Sequence, residues 1–200
     1  MKSSGFFFAL LFAVLFLTVV PAGAISTVVI DAGHGGHDRG GVPGDRYAEK
    51  LYTLDVAQRV RARLRAAGFR TVMTRDGDYF VGLGQRCAIA NSQRDAIFLS
   101  VHFNSAPREG ANGIETYYYS RSSARLAAAV HPRLVRAAGT EDRRVRVRGY
   151  YVLRHTRIPA VLAECGFLTN RSEGARIAGS PAHRQALANA LANAIIATYR

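Results

Sequence analysis

Cysteine is scarce in this chain: of its 200 residues only Cys87 and Cys165 carry a thiol. Two thiols cannot staple a fold together, so a disulfide framework is excluded. Both cysteines sit among apolar neighbours, and two buried thiols are expected rather than one bridge. No long low-complexity tract is present, which argues against a disordered chain. No self-similarity recurs at a fixed period, which excludes a solenoid. Beyond the first twenty residues no apolar run is long enough to cross a membrane. Acidic residues are also few, 14 against 27 lysines and arginines, for a net charge of +13. A chain so basic is drawn to polyanions. Its charge is nearly all arginine and is scattered rather than gathered into an arm, and no nucleic-acid-binding motif accompanies it.

What is present divides into a leader and one domain. Lys2, the apolar run Phe6 to Val20, and the small-residue pattern Pro21-Ala22-Gly23-Ala24 follow one another as in a secretory signal peptide, with cleavage expected after Ala24. An exported protein, periplasmic or extracellular, follows, with one domain over residues 25–200 and no stable membrane span after cleavage. Short β-branched or apolar runs predict strands at Ser26–Ile30, Phe69–Thr74, Ala96–Val101, Gly113–Tyr119, Tyr150–Arg154 and Ala160–Ala163. Helical stripes fall between them. Leu51, Leu54, Ala57, Val60, Leu64 and Ala67 mark the first, closed by Gly68. Gly84–Asn91 is short. Another, capped by Ser122 or Ser123, runs toward Ala138 with Pro132 expected to kink or split it. The last starts at Ser180-Pro181. Strands alternating with helices predict a single α/β domain, a twisted, mostly parallel or mixed sheet of about six strands with helices on both faces.

In such sheets functional groups collect at the carboxyl ends of the strands. His34 follows the first strand in Asp31-Ala32-Gly33-His34-Gly35-Gly36, and His102 follows the third in Ser100-Val101-His102-Phe103-Asn104-Ser105. Glu164 follows the last in Glu164-Cys165-Gly166-Phe167, and Glu49 opens the first helix, where a carboxylate is favoured. Two histidines, a carboxylate and an open position make a common catalytic zinc site. A second carboxylate off the metal can move the water proton to a leaving amine. These residue types leave the bond and the substrate open: an amidase, a zinc peptidase or a binding protein that has lost catalysis would all retain them. His37 lies near His34 but is expected to be a solvated loop histidine. His131, His155 and His183 are expected at the surface or in packing. Tyr117, Tyr118 and Tyr119 alternate faces of a strand.

The chain resembles the third type of N-acetylmuramoyl-L-alanine amidase, the zinc amidases of bacterial cell-wall turnover. Seven stretches carry the resemblance, in the family's order: 28–36, Glu49-Lys50, Thr74-Arg75-Asp76, Arg86 through Asn91, 100–105, 113–118 and 159–170. The resemblance implies one zinc ion held by His34, Glu49 and His102, with Glu164 as the catalytic carboxylate. It implies hydrolysis of the amide between the lactyl group of N-acetylmuramic acid and the L-alanine of the peptidoglycan stem peptide. Glu115 falls in a matching stretch without an assigned role. Arg39 and Phe103 depart from the family's more usual proline and alanine, and Phe103 is expected to narrow the substrate groove. Pro132 interrupts a helix usually continuous. Between Tyr119 and Tyr150 there is room for one helix and a connection but no plug, so an open catalytic domain, active without an activator protein, is expected.

Overall fold

A computed structural model describes residues 24–41, 46–108 and 110–200. Residues 1–23, all but the last residue of the expected leader, and residues 42–45 of the glycine-rich stretch lie outside the described residues. Six strands form one sheet: β1 (Thr27–Ala32), β2 (Arg70–Met73), β3 (Ala96–Asn104), β4 (Ile114–Tyr118), β5 (Asp142–Val147) and β6 (Ala160–Phe167). Their spatial order is β2-β1-β3-β6-β4-β5. β2, β1, β3 and β6 run parallel, β4 is antiparallel to β6, and β5 is parallel to β4. The expected α/β domain with a mixed sheet is what is found.

β1 (TVVIDA) is buried along its whole length, as a strand paired on both edges and covered on both faces must be. One face packs against α1 (Glu49–Ala66), α3 (Ala124–Ala138) and α6 (Pro181–Tyr199) through Ile30, Val60, Leu64, Leu99, Leu126, Leu191 and their neighbours. The other carries a smaller cluster, Val29, Cys87, Phe98, Tyr117, Leu153 and Leu162, under α2 (Leu83–Asn91) and α4 (Tyr151–Arg154). The two free thiols are buried in different clusters, Cys165 in the first and Cys87 in the second, so the sheet separates them. No described helix is long and apolar enough to cross a membrane.

Several expectations require correction. Tyr150–Arg154 is not a strand: Tyr151–Arg154 is a single helical turn, α4, closed by the Arg154 and His155 N–H groups donating to the carbonyls of Tyr150 and Tyr151. The sixth strand is instead β5, an edge strand whose DRRVRV sequence is mostly exposed arginine and packs only Val145 against the core. A further helix, α5 (Arg171–Gly179), is short and announced chiefly by its cap, Asn170, whose side chain accepts from Ser172 and Glu173 N–H. Pro132 does not split α3, which runs through it. The turn is held from outside: His131 is buried, with Nδ1 3.0 Å from Thr116 Oγ1 and Nε2 2.8 Å from Asp142 Oδ1. The expected stripe of α1 faces the core at Ala57, Val60 and Leu64, which are buried, and at Leu54 and Ala67, which pack half-buried against it; Leu51 is exposed, and Glu49, Thr53 and Val56 complete the buried side. Thr53 donates to the Gly33 carbonyl at 2.8 Å.

Candidate metal centre

The chain crosses from β1 outward to β2 and then returns to β3 on the other side of β1, and the clefts of open sheets form at the carboxyl ends beside such a switch. A cleft of about 630 Å³ opens there, lined by His34, Glu49, His102 and Glu164 among others. His102 and Glu164 lie inside β3 and β6 rather than just beyond them, and they pair in register, so their side chains stand abreast on one face. Glu164 pairs in turn with Glu115 on β4. A histidine and two carboxylates thus form a row across three adjacent strands.

His34 reaches this row from the loop after β1 with φ at 62°, a conformation uncommon for residues other than glycine and characteristic of functional positions. Buried arginines fix it. Arg86 donates to the carbonyls of Ala32 and His34, each at 2.7 Å, and to Asp31 Oδ1 at 2.6 Å. Arg75 donates to the carbonyls of Ala32, Gly33, Gly77 and Lys50. Glycine is required where the chain passes the imidazoles: a Cβ on Gly33 would fall 2.3 Å from His102 Cε1, and one on Gly40 would fall 2.5 Å from Glu49 Oε2.

Glu49 is 3 % exposed and sits between the two imidazoles. Its Oε1 lies 2.9 Å from His102 Nδ1 and accepts the Phe103 N–H; its Oε2 lies 3.0 Å from His34 Nε2 and accepts the Gly41 N–H. Burial opposes its charge, but hydrogen bonds from His102 and His34 outweigh that and hold its pKa at about 2. The His34 pKa is raised: burial lowers it, and Glu49 and Asp38 more than compensate.

Nitrogen and oxygen donors from the three residues lie within 4.8 Å of one another. Tetrahedral zinc places its ligand atoms about 3.3 Å apart. Two imidazoles and one ionised carboxylate are the donor types such an ion takes, and the set carries the negative charge that a cation would neutralise. The residues fit a zinc ion. Asp38, unmarked in the sequence reading, adds to the fit: its Oδ2 lies 2.8 Å from His34 Nδ1, which leaves Nε2 to face the site. Its signal was its place four residues after His34 in a turn-forming loop. Asp38→Asn is expected to lower zinc affinity by roughly 10- to 100-fold, read by competition with a chromophoric chelator.

Glu164 differs from Glu49 in having no partner for one oxygen: Oε2 is buried without a hydrogen bond among the described residues. Its pKa is raised well above the glutamate range, by burial first and then by the charges of Glu49 and Glu115. Glu115 is fully engaged, accepting from Asn104 Nδ2 and Tyr117 Oη, both at 2.7 Å, and from Arg143 Nε at 3.3 Å. His37 is exposed and stacks on Phe80 at 4.3 Å, outside the cluster. His155 is exposed against Tyr151 and His183 lies in the first turn of α6. Phe103 borders the cleft, but its ring is 1 % exposed within the larger core, edge-on to Tyr52, so it does not project into the groove as expected.

Beneath the centre, burial would raise the Asp31 pKa, but Arg86, Ser100, Thr74 and His102 together hold it below the usual range. That stability is complete above the unfolded carboxylate value of about 3.9, and it is lost as pH falls through the lower folded value. Arg86→Met would strand Asp31 in the core. A loss of about 3–5 kcal/mol is expected in urea unfolding, easing as acid protonates Asp31 in the variant.

Residues 28–197 match the family model described as N-acetylmuramoyl-L-alanine amidase. The chain is 39% identical over 177 residues to the uncharacterised protein YqiI of Bacillus subtilis, covering 86% of this chain and 84% of that one. It is 35% identical over 178 residues to the N-acetylmuramoyl-L-alanine amidase LytC of the same organism, covering 87% of this chain but 36% of LytC, about a third of that protein's length. It superposes on the N-acetylmuramoyl-L-alanine amidase AmiC2 of Nostoc punctiforme with a TM-score of 0.78 and 38% identity, covering 86% of this chain and 95% of that one.

Proposed function

The chain belongs to the N-acetylmuramoyl-L-alanine amidase family, and we propose that it is a zinc-dependent amidase cutting the bond between the lactyl group of N-acetylmuramic acid and the L-alanine of the stem peptide. The observation that carries this reading is the convergence of His34, Glu49 and His102 within 4.8 Å, on the wall of an open cleft beside the unpaired Glu164 carboxylate. When bound, zinc supplies Lewis acidity, polarising a carbonyl oxygen and lowering the pKa of water to about 7. The chain's own residues do the rest. His34, Glu49 and His102 hold the ion, and Asp38 fixes the His34 tautomer. Glu164 takes the proton of the attacking water and returns it to the leaving nitrogen of alanine. The substrate is wall peptidoglycan, reached after export through the leader, and the role is wall turnover or daughter-cell separation.

Mass spectrometry of purified peptidoglycan after digestion, with and without chelator, tests this. New lactyl carboxylates and new L-alanine amines, both lost on chelation, are the expected products. Cuts within the peptide would make the protein a peptidase, and binding without products would make it a wall-binding protein. Turnover is expected with no second protein added. The segment between β4 and β5 is α3, whose apolar stripe is buried in the larger core with α6, away from the cleft.

A further inference from the structure

Edge strand β5 breaks its own alternation beside the site. Ile114 pairs with Asp142 and Thr116 with Val145, so Glu115 is opposed by two residues, Arg143 and Arg144. Arg144 absorbs the extra residue at φ 77°, a left-handed conformation that non-glycine residues rarely adopt, at a bulge of the kind that re-aims side chains. Arg143 and Arg146 are three apart and would face opposite sides of a regular strand. The bulge puts both on one face. Arg143 Nε donates to Glu115 Oε1 at 3.3 Å, and Arg146 Nε lies 3.9 Å from the same oxygen.

One buried carboxylate therefore faces two guanidinium groups, and its other oxygen is already taken by Asn104 and Tyr117. Glu141, 3.7 Å from Arg143 Nη1 and itself exposed, offsets part of the excess. The terminal nitrogens of Arg146 have no partner among the described residues, and its side chain is 43% exposed. Asn104, which holds Glu115, lines the catalytic cleft. Glu115 is in register with Glu164, so β5 stands two strands, about 10 Å, from β6.

We propose that Arg143 and Arg146 form a carboxylate-binding subsite for the stem peptide, on the leaving-amine side of the scissile bond. The inference rests on the amidase reading for the identity of its ligand. A guanidinium fork matches a carboxylate in two parallel hydrogen bonds. Two residues of extended peptide span about 7 Å, and an arginine side chain covers the remainder. Glu115 orients the pair and neutralises one charge, leaving the other for the ligand.

The test uses two soluble N-acetylmuramoyl peptides differing only in whether the residue after L-alanine carries a free or an amidated α-carboxylate. The zinc-loaded native protein is expected to favour the free carboxylate by roughly 10- to 100-fold in kcat/KM, mainly through KM. Arg146→Gln should bring the ratio close to one. Arg94→Gln, a charge-matched change at an exposed residue just before the opposite end of β3, should keep it. Equal rates for the native protein, or a ratio unchanged in Arg146→Gln, would overturn the subsite. If neither peptide is cleaved, the amidase reading has failed and the subsite is still measurable. The two free L-alanyl peptides are then titrated into native and Arg146→Gln protein by calorimetry. Tighter binding of the free carboxylate by native protein alone supports the subsite, and indifference to amidation overturns it.

Discussion

Glu164→Gln is expected to cut turnover by roughly 10²- to 10⁴-fold, the range that a positioned general base contributes, while zinc content and fold persist. The substitution keeps volume and removes only the capacity to take a proton. Its second signature is thermal. Glu164 has one oxygen buried without a partner among the described residues, and it is in register with Glu115 and close enough to Glu49 for both charges to push its pKa up. Such a group costs stability in the resting protein. The glutamine variant should therefore melt at or above the native temperature while being nearly inactive. A structural glutamate would behave in the opposite way, losing stability and retaining rate. Peptidoglycan turnover, zinc stoichiometry and a melting curve on one preparation decide between them; native turnover in the variant removes Glu164 from the chemistry.

The resting pKa of Glu164 bears on the same point. Burial and two neighbouring anions favour its protonated form. A cation among His34, Glu49 and His102 acts in the reverse sense. A carboxyl group between these opposing influences is less strongly committed to its ionised form than a surface glutamate, which suits it to take a proton and give it back.

The parts legible in the sequence were those whose residues act alone or by local pattern. The apolar runs of β1, β3 and β6 are buried on both faces and read directly as strands. The histidines and glutamates stood out because each followed a strand or opened a helix. What the sequence hid depends on contacts between distant segments. β5 is a strand only because β4 offers it an edge, and its arginines disguise it. α3 survives Pro132 because Thr116 and Asp142, from other strands, hold His131. Arg75 and Arg86 stood in stretches that carry the family resemblance but had no role there; they are 1 % and 3 % exposed and brace the loop that carries His34. Asp38 lies in plain sight in that loop, but its meaning requires knowing which nitrogen of His34 turns inward.

Glu49 separates the two carboxylates most sharply. Glu49→Gln is expected to lose zinc, with affinity falling by more than the roughly 10- to 100-fold assigned to an outer partner such as Asp38, and to lose activity with it. His34→Ala and His102→Ala should do the same. Without the glutamate charge, the site offers two neutral imidazoles, and neither remaining group balances a dication. Glu49→Ala should add a cost in stability that Glu49→Gln largely avoids. The carboxylate accepts the backbone N–H groups of Gly41 and Phe103, and an alanine leaves the buried one at Phe103 unpaired, at about 1–3 kcal/mol. Measured side by side, Glu164→Gln retains zinc without turnover, whereas Glu49→Gln retains neither. Should Glu49→Gln instead hold one zinc per chain at native affinity, the ion is not bound where His34, Glu49 and His102 meet. The division of labour between the carboxylates would then have to be redrawn.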